Sequence, residues 1–493
     1  MNPINLYQIA INAMRSRGLL PVFTPEALQE AEAARQTNLE SHDAIRDLRH
    51  LGWFSIDNDD TRDLDQLSVA ESLPAGAARL LVAVADVDTK VALGGAVDAH
   101  AAANTTSVYT AAGVFPMLPE VLSNDLTSLH EGRERLAVVV EMQVEADGTV
   151  SSATVYRAVV LNHAKLTYDA VSAWLDGTAP PPPQIGKVPG LEAQVRLHDG
   201  LADKLRQWRQ ARGALNVSTV SARPVFDAQG QLVDLRADTK NRAKDLIADI
   251  MIATNGATAR FLVDKGFPSL RRFLQSPRRW DRIAALAIGH GVQLPAASDA
   301  LALDRFLNAR RLADPAGFAD LSLAVVKLLG SGEYAAAPAA ANGANGANSS
   351  NGLGHFGLAV NDYAHSTAPN RRFPDLVTQR LLKAAIAGEA PPYSTEQLGH
   401  IARHCTLQED NASKVERQVL KAAGAYLLHG RIGEKFDALV TGAAPKGTFV
   451  RINSPMLEGR VVRGFEGLDV GDMLRVKLVA VDADKSFIDF ERI

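Results

Sequence analysis

The acidic segment Ser55-Ile-Asp-Asn-Asp-Asp-Thr-Arg-Asp-Leu-Asp-Gln66, with five aspartates in nine positions, constrains the fold more than any other part of the chain. Neighbouring carboxylates repel one another and cannot enter an apolar core without compensation. Around this segment, runs of β-branched residues flanked by turn residues predict strands over Gly52 to Ile56, Ala78 to Val87 and Leu136 to Val144. We therefore expect the acids at strand ends.

The acidic segment has two possible interpretations, a metal site or a solvated loop. If it is extended, Asp63 and Asp65 lie on the same side. Packed carboxylates either hold a hard divalent cation or lie on a solvated loop, and the segment alone leaves both open. Mg²⁺ suits an all-oxygen site, whereas an EF-hand needs Gly and Glu at spacings that are absent here. The single cysteine, Cys405, excludes an internal disulfide and a thiolate metal cluster, so any metal binds oxygen.

Length and composition narrow the class of protein. A chain of 493 residues exceeds one ordinary core and predicts two to four units, and 46% hydrophobic with 22% charged residues is typical of globular proteins. The apolar stretch from Arg79 to Val91 contains Asp86 and Asp88 and is shorter than the roughly 20 residues of a membrane span. Met1 to Arg17 lacks a secretory signal pattern. We expect a cytoplasmic protein without a membrane segment, and a monomer.

One segment is basic although the net charge is -4. From Ala202 to Ala285 there are sixteen Lys and Arg against eight Asp, with no Glu. Such an excess could follow a phosphate backbone or could be a solvated helix face, and charge alone does not distinguish them.

Helices are predicted in the first fifty residues and again after residue 240. Three short ones, Leu6 to Arg15, Pro25 to Ala34 and Ala44 to Leu51, fit either a helix-turn-helix or a docking bundle. A longer helix is predicted from Lys244 to Lys265, where Gly266 ends it.

The later part of the chain changes character twice. Between Tyr334 and Gly354 the composition reduces to Ala, Asn, Gly and Ser, which predicts a flexible insertion. Two helices follow, one opened by Pro374 and one that reaches about Leu428. From Gly433 to Ile493, short strands alternate with Gly-bearing turns, which predicts a small β-barrel.

Several separate blocks together resemble the ribonuclease II, or RNB, family from about Leu51 to the C-terminus. The order and the spacing of the blocks both agree with the family. The matching blocks are Ile56-Asp57 with Asp63-Leu-Asp65, Val84-Ala-Asp-Val87, Ser107-Val-Tyr109, Phe115-Pro-Met-Leu-Pro119, Arg212-Gly-Ala-Leu215, Met251 with Asn255, His355-Phe-Gly-Leu358, Tyr363 to Leu376, Glu416-Arg417, and Gly447-Thr-Phe-Val450 with Gly471-Asp472.

The resemblance implies an α+β multidomain fold. A helical domain would occupy residues 1–50, a mixed α/β RNB catalytic domain residues 51–430 with a flexible insertion at 335–354, and an S1-type OB barrel residues 432–493. It also implies a 3'-to-5' hydrolytic exoribonuclease that degrades single-stranded RNA, rather than DNA, to nucleoside 5'-monophosphates. The implied cofactor is Mg²⁺, with Mn²⁺ as a substitute.

The resemblance also assigns catalytic roles. Asp57, Asp63 and Asp65 would hold the metal, with Asp65 central, and Arg371 would contact phosphate oxygens in the transition state. A surface salt bridge is the alternative reading of Arg371.

Four further residues would contact RNA. Tyr109 would stack on a base or sugar, and Glu416 would contact a ribose hydroxyl. His365 and Arg372 lie in a matching block and would contact RNA as well. The alternatives are core packing for Tyr109, a solvated acid for Glu416 and a structural role for His365.

The chain departs from the family at several positions. Gln66 stands where the family has a fourth Asp, so metal binding weakens unless Asp59 or Asp60 compensates. Val217 replaces an aromatic partner, and Ala248-Asp249 replaces a Glu pair. The stretch before Asp57 is also too short for the tandem cold-shock barrels of the family. A second hypothesis is therefore an RNB-type RNA-binding protein that is weakly active or inactive.

Overall fold

A computed structural model of the protein describes residues 4–36, 45–217, 221–227, 230–238, 240–315, 317–339, 354–445 and 447–493. The helices there are α1 Leu6–Arg15, α2 Pro25–Ala33, α3 Ala96–Asn104, α4 Tyr168–Leu175, α5 Leu191–Gln210, α6 Arg242–Asp264, α7 Trp280–Gly289, α8 Ala300–Ala313, α9 Phe318–Leu329, α10 Phe373–Ala387 and α11 Thr395–Leu428. The strands are β1 Arg46–Asp47, β2 Phe54–Asp57, β3 Gln66–Ser72, β4 Ala78–Ala85, β5 Val108–Thr110, β6 Gly113–Phe115, β7 Glu134–Val144, β8 Val150–Leu161, β9 Ala164–Thr167, β10 Ser221–Phe226, β11 Leu232–Asp238, β12 Ser269–Phe273, β13 Glu333–Ala337, β14 Lys435–Ala444, β15 Gly447–Asn453, β16 Met456–Arg463, β17 Met473–Asp482 and β18 Phe487–Arg492.

A seven-stranded sheet in the order β1-β8-β7-β4-β3-β2-β9 forms the centre of the fold. Its inner pairs are antiparallel, and its two edges, β1 with β8 and β2 with β9, are parallel. Strand β4 is an almost continuous apolar run with both faces buried, as expected of a central strand covered on both sides. The strands predicted around the acidic segment are confirmed as β2, β4 and β7.

The prediction of a third N-terminal helix from Ala44 to Leu51 is wrong for the described residues of that stretch. Arg46 and Asp47 form β1, which pairs in parallel with Ala158 and Val159 of β8, and the Leu48 N–H donates to the Val159 carbonyl at 3.0 Å. Pairing with a sheet edge has overridden local helix propensity. The other two helices, α1 and α2, pack on α11 and on α3 respectively, which is the arrangement of docked helices.

Helix α6 confirms the long helix predicted from Lys244. Asn241 caps it by accepting from the Lys244 N–H at 2.9 Å, and the helix packs against the main sheet, α4, α5 and α10. Among the described residues, α6 is the one helix long and apolar enough by length and composition to cross a membrane. Most of it is buried inside the protein, as in the core helix of a globular fold.

The predicted insertion from Tyr334 to Gly354 is wrong at its start. Glu333 to Ala337 form β13, which pairs antiparallel with β12, and Tyr334 is buried. Residues 340–353 lie outside the described residues. The Ala-rich composition gave no indication of β13, because this strand is stabilised by pairing with β12, about sixty residues earlier in the chain.

The C-terminal segment closes into a five-stranded barrel in the order β14-β15-β16-β18-β17, which confirms the predicted small barrel. Helix α11, which begins with a capping box formed by Ser394 and Gln397, packs along both the barrel and α1. Two arginines at the N-terminus of α7 contact the barrel: Arg282 pairs with Asp472 at 2.8 Å, and Arg279 with Asp469 at 3.0 Å.

Most of the basic segment is neutralised within the fold. Nine of its arginines form ion pairs with carboxylates among the described residues: Arg206, Arg209, Arg236, Arg242, Arg271, Arg272, Arg278, Arg279 and Arg282. More than half of the basic residues in this segment are therefore engaged in ion pairs within the fold.

Candidate functional site

The acidic segment lies at one end of the main sheet, as the sequence predicts. Asp57 is the last residue of β2, and Asp65 immediately precedes β3. Between them, Leu64 is buried and donates its N–H to Ser128 Oγ at 3.0 Å. Because side chains alternate along extended chain, an inward Leu64 directs Asp63 and Asp65 to a common side.

Asp65 is the most buried acid of the segment, with 3% of its surface exposed. Its Oδ1 accepts from the Asn370 N–H at 3.1 Å, and its Oδ2 accepts from Arg371 Nε at 3.2 Å. Burial, opposed by the charge of Arg371 and assisted by that of Asp63, raises the pKa of Asp65 to about 7. The one guanidinium therefore does not compensate the negative charge gathered at this point.

The other two acids have less support. Burial and the nearby charge of Asp57 raise the pKa of Asp63, although Arg371 opposes the rise. Asp57 Oδ1 accepts from the Asn58 N–H at 2.7 Å and from Thr61 Oγ1 at 2.9 Å. Among the described residues, no Lys or Arg lies within ion-pair distance of Asp57 or Asp63, so a cation would be stabilised between them.

The donor chemistry of Asp57, Asp63 and Asp65 fits a hard, oxygen-ligated cation such as Mg²⁺. The burial of Asp65, which Arg371 compensates only in part, supports the same fit. Within the described residues, however, no three His, Cys, Asp or Glu side chains are arranged as a ready-made metal cage. A cation that bound Asp65 would compete with Arg371 for its carboxylate.

Arg371 is positioned by backbone contacts ahead of α10. Its carbonyl accepts from the Ser107 N–H at 3.0 Å and from Thr106 Oγ1 at 3.3 Å. Its side chain is 40% exposed while Nε holds Asp65, so the rest of the guanidinium faces outward. The partner of Arg371 is thus a buried acid, which differs from the surface salt bridge that the sequence left open.

Tyr109 lies on β5 and is 45% exposed, so the core-packing alternative is wrong. Its N–H donates to Glu416 Oε1 of α11 at 3.0 Å, which makes Glu416 a fixed acid rather than a freely solvated one. Partial burial of the phenol raises the pKa of Tyr109 to about 12, and the charges of Arg371, Asp63 and Asp65 all act on it. The tyrosine therefore stands between the acids and solvent.

Tyr109 and Glu416 line a cleft of about 720 Å³ between the β5–β6 hairpin, α11 and the barrel. The cleft also has a basic lining, formed by Arg223, Lys327, Arg417, Lys421 and Arg451. Its aromatic, acidic and basic groups come from regions far apart in the sequence. Such a lining suits an extended polyanion with planar bases.

His365 and Arg372 lie behind the site and do not line this cleft. His365 Nδ1 is 2.8 Å from the Tyr334 hydroxyl, and burial lowers the pKa of His365 well below its usual value. Arg372 Nη2 donates at 2.7 Å to Oδ1 of the fully buried Asp375. These contacts brace the segment that carries Arg371, and they favour a structural role for both residues.

Sequence reasoning missed Tyr168, the first residue of α4. It follows Thr167 of β9, which pairs in parallel with Asp57 of β2. Burial and the charge of Asp57 raise the pKa of Tyr168, which places the phenol beside the acids. The available signal was a tyrosine directly after a strand, but the pairing of that strand with β2 is a tertiary fact.

The departures from the family pattern occupy ordinary structural positions. Gln66 begins β3 opposite Val84, and Asp59 and Asp60 lie in an exposed turn. Asp249 forms ion pairs with Arg206, at 2.8 Å, and with Arg209. Asp249 is thus held between α5 and α6 and does not join the acidic segment.

Comparison with known proteins gives two family matches. The RNB domain matches residues 45–388, and the RNase II-type exonuclease C-terminal S1 domain matches residues 434–493. Ribonuclease R of Vibrio parahaemolyticus is 30% identical over 525 residues, covering 98% of this chain and 60% of that protein. The chain therefore spans about three fifths of the length of the curated relatives it matches.

Solved structures show the same fold. Mycoplasma genitalium RNase R in complex with ribose-methylated single-stranded RNA superposes with a TM-score of 0.83 at 21% identity, covering 99% of this chain and 78% of that one. Yeast Ssd1, a pseudonuclease, superposes with a TM-score of 0.67 at 16% identity, covering 92% and 55%. A nuclease and a pseudonuclease thus share this architecture, and the fold alone does not decide between them. Because the RNB match covers well over half of its residues, the chain belongs to the RNB family.

Proposed function

We propose that the protein is a 3'-to-5' hydrolytic exoribonuclease that degrades single-stranded RNA to nucleoside 5'-monophosphates. The observation that carries the proposal is the buried, undercompensated Asp65, held by a half-exposed Arg371 beside the exposed Tyr109. A carboxylate with a purely structural role has its charge balanced by its ion-pair partners, and the charge of Asp65 is not balanced in this way. A metal-dependent hydrolytic centre does need such an unbalanced carboxylate, because the cation that balances the charge of the carboxylate binds only at the assembled site.

Asp57, Asp63 and Asp65 are the residues that would hold Mg²⁺, or Mn²⁺ in its place. When bound, such a cation lowers the pKa of a water ligand and stabilises negative charge on the phosphate. The outward-facing nitrogens of Arg371 would donate to phosphate oxygens, and Arg371 would exchange Asp65 for this anionic partner. The chain thus supplies both signs of charge to one phosphodiester.

The cleft supplies contacts that suit single-stranded RNA. Tyr109 would stack on a base, a contact worth about 1 to 3 kcal/mol that tolerates any base identity. Glu416 holds the backbone of Tyr109 through Oε1, and Oε2 would accept from a ribose 2'-hydroxyl, which selects RNA over DNA. The basic lining would follow the phosphates towards the barrel.

The second candidate is an RNA-binding RNB protein without hydrolytic activity. Gln66 favours it, since a neutral amide stands beside Asp65 where an additional carboxylate would strengthen metal binding. The same cleft would then bind RNA without cleaving it. The two candidates differ only in whether the acids assemble a working metal site.

Incubation of 5'-labelled single-stranded RNA with the protein and Mg²⁺ separates the two candidates. We expect a ladder shortened from the 3' end, lost on addition of EDTA and in the Asp65→Asn variant. An intact RNA that is nevertheless shifted in a native gel would overturn the hydrolase and establish the binding protein. Chromatography of the products against nucleoside 5'- and 3'-monophosphate standards tests the proposed bond.

A further inference from the structure

A second cavity, of about 340 Å³, lies between the C-terminal half of α5, the middle of α6 and the β7–β8 turn. None of its lining residues lines the cleft of Tyr109 and Glu416, so it is a separate site. Its volume is at the lower end of the range of about 300 to 1,000 Å³ typical of small-molecule sites. We call it the α5–α6 cavity.

The α5–α6 cavity is preformed by tight packing of the β7–β8 turn on α5. Gly148, at the turn, has a φ of +85°, and a Cβ there would lie 2.2 Å from the Lys204 carbonyl oxygen. The Lys204 side chain in turn donates to the Gly76 carbonyl at 2.8 Å. Only glycine permits this approach, so the wall of the cavity is rigid.

The charged lining of the α5–α6 cavity is mainly positive. Three guanidiniums, those of Arg209, Arg212 and Arg260, face one carboxylate, that of Asp362. Asp362 is already paired with Arg271 at 3.1 Å, and Arg209 with Asp249. Neither Arg212 nor Arg260 has a carboxylate within ion-pair distance among the described residues.

Two further donors in this lining are unused. Trp208 Nε1 and Arg209 Nε are buried, and neither has a hydrogen-bond partner in the described part of the chain. A buried donor without a partner destabilises the folded state, so a ligand that accepts from it is favoured. Burial also lowers the pKa of Arg209 and of Arg260, as expected where positive charge is undercompensated.

The rest of the lining is apolar and planar. Leu205, Ile252 and Val360 supply aliphatic surface, and the Arg212 guanidinium lies over the Trp208 ring at 3.8 Å from its centroid. A ligand that satisfies both halves of the cavity carries a flat ring and an anionic group. An inorganic anion would leave the apolar half empty, and an uncharged ring would leave the donors unpaired.

We propose that the α5–α6 cavity is a second ligand site, which binds a nucleoside monophosphate with its base against Trp208 and the aliphatic wall and its phosphate on Arg212 and Arg260. The residues Ala359 to Asp362 that form one wall lead directly into the segment ending at Arg371. Occupancy would therefore be sensed by the chain segment that carries the candidate site. The assignment does not depend on whether the protein hydrolyses RNA.

The test is titration of the full chain with AMP, adenosine and inorganic phosphate, followed by tryptophan fluorescence and by calorimetry. We expect saturable quenching by AMP that Trp208→Phe removes, and affinity that falls about tenfold or more in Arg260→Gln and in Arg212→Gln. Arg196→Gln is the matched control, because Arg196 of α5 also lies over a tryptophan, Trp174 of α4, at 4.6 Å from the ring centroid and outside the α5–α6 cavity. Its affinity for AMP should equal that of the unmodified protein.

Three outcomes would overturn the site. The first is a calorimetric titration that detects no binding of AMP, and the second is an equal affinity for adenosine and AMP. The third is AMP binding that is lost in Tyr109→Ala but kept in Arg260→Gln. The last places the nucleotide in the cleft of the candidate active site. Thermal melts of each variant separate a lost contact from a lost fold, and RNA cleavage by Arg260→Gln reports separately on the proposed hydrolase.

Discussion

Two groups of aspartates at the main sheet have the same chemistry and different surroundings. The first group, which we call the closed cluster, consists of Asp86 and Asp88, which follow β4, and Asp98, which lies on α3. Each of these acids forms an ion pair with Arg380 or Lys383 at 2.8 to 3.0 Å. Asp86 also pairs with Arg157 at 3.0 Å. The open cluster, Asp57, Asp63 and Asp65, has one ion pair in the described residues, between Asp65 and Arg371.

The difference teaches how to separate a structural acid from a functional one. Buried carboxylates that have cationic partners on two sides hold elements together, and removing one deprives each of those cations of an ion pair inside the fold. Buried carboxylates without enough partners lower the stability of the folded state, a cost that proteins retain at functional sites. Counting partners, rather than acids, therefore identifies the open cluster as the candidate site.

The largest expected effect is on catalysis at the open cluster. Asp65→Asn should lower the rate of RNA hydrolysis by about 10³-fold, because the loss of a metal-binding carboxylate removes several kcal/mol of transition-state stabilisation. Stability in urea should be unchanged or higher at neutral pH, since asparagine carries no charge into a buried position where the acid has a raised pKa. A large loss of stability in urea would make Asp65 a structural residue and break the comparison.

The closed cluster should show the opposite pattern. Asp86→Asn removes one ion pair from each of Arg157 and Lys383 within a buried network, at a cost of about 3 kcal/mol in the free energy of unfolding. Urea denaturation measures this loss, and Asp410→Asn, which breaks an exposed pair with Lys414, should change it by less than about 1 kcal/mol. Residual activity per folded molecule should stay near that of the unmodified protein, and a specific loss of activity would merge the two clusters into one site.

We expect the aromatic ring of Tyr109, next to the open cluster, to contribute to RNA binding. Tyr109→Ala should weaken binding of a labelled single-stranded RNA by about 1 to 3 kcal/mol, because a stacking surface is lost. Binding is measured by fluorescence anisotropy in the Asp65→Asn background, so that RNA stays intact. Tyr109→Phe keeps the ring and should bind as the parent does; equal loss in both variants would assign the contribution to the hydroxyl instead of to stacking.

The smallest effect concerns Gln66. Gln66→Asp adds a carboxylate beside Asp65 and should lower the Mg²⁺ concentration for half-maximal activity by about tenfold, since ligand charge sets affinity for hard cations. Asn58→Asp, which adds the same charge in the exposed turn, is the control and should shift it little. If both substitutions act equally, the effect is general electrostatics, and Gln66 is not part of the site.

Local patterns in the chain were sufficient for much of the fold and for part of the site. The β-branched runs around the acidic segment correctly predict strands, and the pattern around Met251 correctly predicts α6. The short strands with Gly-bearing turns near the C-terminus correctly predict the barrel. Each pattern reflects burial of the element that it forms. Pairing between distant segments was not predictable in the same way. Arg46 and Asp47 of the expected third helix form β1, and the first residues of the Ala-rich stretch, up to Ala337, form part of β13, since a neighbouring strand offered each a partner.

The sequence by itself determined that the acids stand at strand ends, that Tyr109 and Arg371 belong to blocks typical of RNB proteins, and that the tail forms a barrel. Only the tertiary structure decided which acids are compensated. Asp65 meets Arg371 across 306 residues, and Asp86 meets Lys383 across 297. The partners that set the electrostatics of a carboxylate come from distant segments, and a local pattern of charges cannot show whether folding brings those partners within reach.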